Sequence, residues 1–378
     1  MLTVLFGARL NRGMEGLSMF CWNRVGAVSR VLAVCAVCCV LSGLSLAQSS
    51  VLDLPRGSQR AQISQRLGIT DITISYHRPL VNGRKVWGGL VPFGQVWRAG
   101  ANENTTITFS DPVTVEGKAL DRGSYGLHMI PGENEWTVIF SKNSTSWGAF
   151  TYDKNEDALR VTVKPQAAEM HEALTYDFDQ VKADSTVAVL QWEKVAVPFK
   201  IDVDVHGIVQ ASLKKQLRGL SQYTWEGWDD AANYFLGEKF GYEDAVAYEN
   251  KSIEVEDRFD NEHAKSLALE ALGRKDEAAA TMKKALAMAN PLQLHLYARQ
   301  LQGLKKNDEA FAIFQDNAKK HPEMWFVHSG LARMYCSQGK FDDAAKEMKV
   351  ALGGAPENQK VYVDGLVKKL EAKQDINN

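Results

Sequence analysis

Between Tyr76 and Asn104 the chain reads YHRPLVNGRKVWGGLVPFGQVWRAGANEN. Arg78, Arg84 and Arg98 carry planar guanidinium forks, the shape that grips carboxylate or phosphate. His77 and Asn102 add polar donors and acceptors. Glu103 is the carboxylate of the stretch and so its candidate acid or base. Trp87 and Trp97 are the kind of flat surface that lines a sugar or peptide. Together these residues sketch a small-ligand or hydrolase pocket, roofed by two tryptophans, with Arg98 anchoring an anionic group. The same residues also read as architecture. Arg78-Pro79 and Asn82-Gly83 are turn chemistry, tryptophans can close one end of a β-fold, and the arginines can pair with Glu103, Asp111 and nearby carbonyls. Geometry separates the two readings: a pocket requires the side chains to converge on one concavity.

Other chemistries find less support. His77, His128, His171 and His206 are scattered with no His-x-x-x-His or Glu-x-x-His pairing, whereas a zinc site needs three or four convergent ligands. Asp153 to Asp157 opens like a calcium loop, but Ala158 stands where the loop needs glycine and Lys164 where it needs glutamate; a charged turn is expected there. No Gly-x-Ser-x-Gly elbow and no phosphate-loop motif occurs. No catalytic residue, cofactor or metal is therefore assigned, and the reading leans toward a non-enzymatic protein.

The elements that must position these residues fall into two classes. Ile72, Ile74 and Tyr76 alternate, as do Tyr125, Leu127 and Met129, then Trp136, Val138 and Phe140, and the pattern repeats through VPFKIDV. Period-2 runs separated by Glu116-Gly117-Lys118, Asp121 to Ser124 and Pro131 to Asn134 predict an antiparallel β-sandwich of eight or so strands over 51–205. From 210 to 375 the spacing turns helical. FGYEDA ends at Ala245, LGRKDEA at Ala278, KKNDEA at Ala310 and QGKFDDA at Ala344. That period resembles tetratricopeptide repeats, helix pairs that must stack to bury their faces. The copy around 223–256 has lost much of the pattern, so an irregular cap is expected there. Such arrays hold a peptide or protein partner in a groove, for which Tyr234, Tyr242, Tyr248, His263, Tyr297, Arg299 and Trp325 are candidates.

The β half resembles a bacterial exported family, "domain of unknown function 2911". The likeness rests on Ser75 to Pro79, Gly83-Arg84, Trp87 to Pro92, Val96 to Asn102, Gly123 to Leu127, Glu135 to Phe140, Trp147 to Phe150 and Gln191 to Glu193. It covers about residues 60–205 and implies an exported, β-rich domain without an activity to carry over. A helical tail is an arrangement associated with some members.

The N-terminus agrees with export. Arg24 and Arg30 precede VLAVCAVCCVLSGLSLA, an apolar core of about a dozen residues ending in small residues at Ser45 and Ala47. It is shorter than the ~20 residues a membrane span needs. A leader over 1–47, cleaved after Ala47, is expected, with no stable transmembrane segment afterwards. Valine precedes both Cys35 and Cys38, where lipid attachment wants a small residue. Cleavage leaves Cys336 as the lone thiol, expected to be a small buried apolar residue. The 378 residues are 45% hydrophobic and 24% charged, with formal net charge −2. That is globular composition, with no global attraction to nucleic acid. The expectation is an envelope or periplasmic binding module whose helical repeats take a protein or peptide partner.

Overall fold

The computed structural model describes residues 55–377; the expected leader and its cleavage point lie outside them. Ten strands come first: β1 Gln59–Leu67, β2 Thr70–Arg78, β3 Thr106–Phe109, β4 Val113–Val115, β5 Lys118–Leu120, β6 Gly123–Ile130, β7 Trp136–Ser141, β8 Asp157–Val163, β9 Gln166–Asp179 and β10 Ser185–Asp202. They form two antiparallel sheets, β1-β2-β3-β6-β7-β8 and β5-β4-β10-β9. One buried cluster takes the inward residues of both, among them Ile72, Ile107, Leu127 and Phe140 of the first sheet with Leu174, Leu190, Phe199 and Ile201 of the second. This is compatible with the expected sandwich.

The count of strands exceeds the expectation for identifiable reasons. β1 has a weak apolar face of half-buried Ala61 and Ile63 on a sheet edge. β4 and β5 are three-residue arms on either side of the Glu116-Gly117 turn, both in left-handed backbone. Conversely, the two runs flanking Glu193 are one continuous strand. Its register shifts around Glu193, whose φ is 55°, so a bulge rather than a turn interrupts the alternation. The charged segment at Asp153 is a single 3₁₀ turn, Lys154–Glu156, capped by the Asp153 side chain.

Ten helices follow: α1 Val205–Gln216, α2 Trp225–Glu238, α3 Tyr242–Val255, α4 Phe259–Ala271, α5 Lys275–Met288, α6 Pro291–Gly303, α7 Asn307–Lys320, α8 Trp325–Ser337, α9 Phe341–Gly354 and α10 Glu357–Glu371. The second helix of each pair, α3, α5, α7 and α9, carries two acids in its first turn, where the helix dipole favours them. Ala245, Ala278, Ala310 and Ala344 are buried at the crossings, because only a small side chain lets the backbones approach. The turn inside each of the last three pairs contains one left-handed residue, Gly273, Lys305 and Gly339, whereas the first contains two, Lys239 and Gly241. The first pair forms both helices but departs from the others in its turn. Its connection runs through Lys239-Phe240-Gly241, and Phe235, Phe240 and Tyr248 fill its crossing with rings. No described helix is long and apolar enough to cross a membrane.

Candidate functional site

The stretch from Pro79 to Thr105 is knitted to its neighbours by backbone hydrogen bonds. Val81 N donates to Glu172 O and Leu174 N to Pro79 O, while Trp97 and Met129 exchange two bonds of 2.8 Å. A kink follows Arg98, with Ala99 at φ 49° and Asn102 at φ 57°. Tyr176 Oη (2.9 Å) and Thr105 Oγ1 (3.1 Å) both donate to Ala99 O. Gly100 is required here, since a Cβ would run into Thr105 Oγ1 and reach 3.4 Å from His77 O.

This kink sets Glu103 beside His77 at the end of β2. Glu103 Oε2 lies 3.3 Å from His77 Nε2, and Glu103 Oε1 lies 2.7 Å from Arg56 Nη1. The register Ser75↔Thr106↔Gly126, continued by two residues, places His77, Asn104 and His128 in one row on the outer face of the six-stranded sheet. A cleft of about 580 Å³ opens over this row, lined by Arg56, Arg60, Tyr76, His77, Glu103 and Asn104 among others.

The row holds buried polar atoms that lack partners: His77 Nδ1, Asn104 Oδ1 and, nearby, Arg98 Nε. Burial lowers the His77 pKa, with Arg56, Arg60 and Arg98 working in the same direction and Glu103 opposing them. His128, 2% exposed, is also held neutral by burial. Its Nδ1 lies 3.3 Å from Gly126 O. Beneath it, Asp157 accepts from Tyr152 Oη (2.7 Å) and Arg160 Nε (2.5 Å). Burial and Asp157 push the Tyr152 phenol up to about 12. Arg98 lies over the ring of Trp147, 5.8 Å from its centroid, and burial lowers its pKa. Trp147 stacks on Phe150, both exposed. The arrangement offers neutral imidazoles and guanidinium groups to a polar or anionic small molecule.

The residues singled out in the sequence are thus divided. His77 and Glu103 meet in the cleft, with Arg98 behind them. Asn102 donates to Ser58 O (3.2 Å) and holds the chain that forms the cleft rim. Arg78 turns to β9, donating to Leu174 O (3.0 Å) and Thr175 Oγ1 (2.8 Å). Arg84 closes its own turn on Val81 O and Leu80 O. Trp87 is buried and meets Trp97, Trp136 and Trp192 edge-on, while Trp97 stacks on Trp192. The two tryptophans are core, not roof. Arg60 escapes the sequence reading because β1 has a weak apolar face, and Arg56 because it lies just ahead of that strand. Once β1 pairs, Arg60 stands opposite His77. Among the described residues no group of three or more His, Cys, Asp or Glu could hold a metal ion.

In the helical half the first helices of successive pairs touch, α2 with α4 and α6 with α8, more closely than successive second helices do. The first helices therefore form the inner row. Of the groove candidates, Tyr248 Oη is buried without a partner and His263 stacks on Phe259 and meets Tyr297 edge-on. Trp325 packs on the last buried cluster. Cys336 is buried and free, as expected.

Residues 58–201 match the family model described as "Protein of unknown function (DUF2911)". No curated protein matches the chain. Among solved structures, the chain is similar to YrrB, "a TPR protein with an unusual peptide-binding site", at 15% identity, covering 44% of this chain and 86% of that one, TM-score 0.27. It is also similar to the APC/C hetero-tetramer Cut9-Hcn1, at 13% identity, covering 43% of this chain and 33% of that one, TM-score 0.30.

Proposed function

We propose that this protein is an exported envelope or periplasmic binding module, without catalytic activity, whose helical array captures a protein partner on its row of first helices. The observation that carries the reading is that row. It exposes large apolar side chains, Leu292 and Leu296 on α6 and Tyr362 on α10, on elements whose other faces are already buried. Exposed apolar side chains on helices whose other faces are buried are the kind of surface a partner covers. The leader read in the sequence supplies the location. Photo-crosslinking residues placed at Leu296 and Tyr362 of the full chain, expressed in its own host, should trap one discrete protein. The same residue at Val350 on α9 should trap none. Equal trapping from both helices, or none from either, would overturn the reading.

One observation favours a second role for the β half. His77, Glu103, Arg56 and Arg60 converge on the cleft, and the buried atoms behind it lack partners. Cations outnumber the one carboxylate, so the cleft suits a small anion. A thermal-shift series on the full chain with inorganic phosphate and small dicarboxylates should raise Tm, and Arg56→Ala should remove the shift. No shift with any anion in the wild type would exclude this role.

A further inference from the structure

After α10 the chain turns at Ala372 to Gln374 and lays Asp375, Ile376 and Asn377 back across the inner row. Ile376 is 4% exposed and belongs to the last buried cluster of the array. Arg333, on the middle of three successive first helices, is the residue that receives this segment. Its Nη1 donates to Ile376 O and its Nη2 to Tyr362 Oη of α10 (3.2 Å). Its carbonyl accepts from Gln302 of α6 (3.4 Å) and from Asn377 Nδ2 (3.2 Å). One turn further on, Cys336 Sγ donates to Asp375 Oδ1 (3.2 Å), which also accepts from Asn377 N.

A guanidinium 3% exposed would ordinarily be paired with a carboxylate. Among the described residues Arg333 has none within ion-pair distance. It holds a backbone carbonyl instead, and its Nε is buried without a partner. Arg299 of α6 adds a second positive charge close by. Binding a main-chain carbonyl, burying one aliphatic side chain and pairing an amide with the helix carbonyl are the contacts by which a receptor holds a short peptide. We infer that Arg333, Cys336, Tyr362 and Gln302 form a subsite for a short acidic–aliphatic–amide peptide segment, and that Asp375–Asn377 occupies it as an internal ligand. A tethered segment competes at an effective concentration on the order of millimolar. A partner must therefore present a better segment of the same chemistry to displace it. This regulatory half of the inference rests on the partner-binding role proposed for the array.

The test uses a labelled peptide, Lys-Gln-Asp-Ile-Asn-Asn, with fluorescence anisotropy. It should bind the chain lacking Gln374–Asn378, bind the full chain at least tenfold more weakly, and lose binding when its isoleucine is replaced by aspartate. Arg333→Lys, which keeps the charge but not the fork, should weaken binding to the shortened chain. Cys336 gives an independent readout. Its alkylation, followed by peptide mapping, should be at least tenfold faster in full-length Ile376→Asp than in the wild type. Added peptide should slow it in the shortened chain. Equal affinity for both chains, or no binding to a shortened chain with intact helical circular dichroism, overturns the inference. Should the shortened chain lose its helicity, the Ile376→Asp chain decides alone, and unchanged alkylation overturns the inference. None of these outcomes bears on whether Leu296, outside the subsite, traps a partner, so the two proposals fail separately.

Discussion

At the scale of single residues, the sharpest electrostatic feature is a pair of acids inside the first helix pair. Glu249 of α3 is fully buried and faces Asp229 of α2, itself 9% exposed. Were both ionised, none of Glu249's oxygens would have a donor; a proton on Glu249 supplies one. Burial, then the Asp229 charge, raises the Glu249 pKa to about 10, Glu262 adding to the shift and Lys265 opposing it. Because the folded pKa lies above the unfolded one, the folded chain binds this proton more tightly. Its contribution is complete below the ordinary carboxylic range and is lost as pH rises toward the folded value. Tm of the wild type should fall between pH 6 and pH 9. Glu249→Gln carries a permanent donor, so its Tm should stay level and at pH 9 exceed the wild type by the equivalent of about 1–3 kcal/mol. Parallel slopes in the two proteins would refute the shared proton. Nothing in the sequence distinguishes Glu249 from a surface acid, since its burial follows from how two helices cross. The same holds for Arg333. His77 and Glu103 were legible as chemistry, but their meeting depends on the kink at Ala99 to Asn102.

At the scale of elements, the repeat was legible because each pair solves the same two problems, a small residue at the crossing and a left-handed residue in the turn. The solutions are not equally good. Gly273 and Gly339 take φ 77° and 74° without strain, whereas Lys239 and Lys305 take φ 59° and 63°. A left-handed residue with a Cβ costs about 1–2 kcal/mol. Lys305→Gly should raise the stability of the array by about 1 kcal/mol, and Gly273→Lys should lower it by a similar amount. Urea titrations followed at 222 nm measure both, and a Lys305→Gly chain no more stable than the wild type would show the turn to be held by other contacts. Gly330 answers a different demand, since a Cβ there would lie 2.5 Å from Phe314 Cδ1 across the α7–α8 crossing. Gly330→Ala should cost about 1–3 kcal/mol. The β half was less legible at this scale. Alternation marks a strand only when one face is well buried over several residues; the inward face of β1 is half-buried along most of its length, and β4 and β5 are three residues each, too short to show a period.

At the scale of the molecule, the β half is organised around one continuous buried cluster, while the helical half divides its core among three smaller ones. Such arrays unfold by nearest-neighbour steps rather than all at once. The halves are joined by α1, which serves both. Its Val205 and Ile208 pack on the β cluster and its Leu213 on the first helical one. His206 stacks on Phe240 with ring centroids 4.1 Å apart, and Gln210 donates to Asp244 (2.5 Å). Calorimetry of the full chain should therefore show two transitions, a broad one from the array and a sharper one from the β half. Hydrogen exchange should assign α1 to an intermediate position. Gly68 lies against Val205 at the start of α1. It takes φ 56°, and a Cβ would lie 2.6 Å from Val205 Cγ1. Gly68→Ala should lower the β transition by about 1–3 kcal/mol and bring the loss of α1 protection down to that of the array. A single transition, with amides of both halves exchanging together, would mean that α1 couples the two cores into one unit.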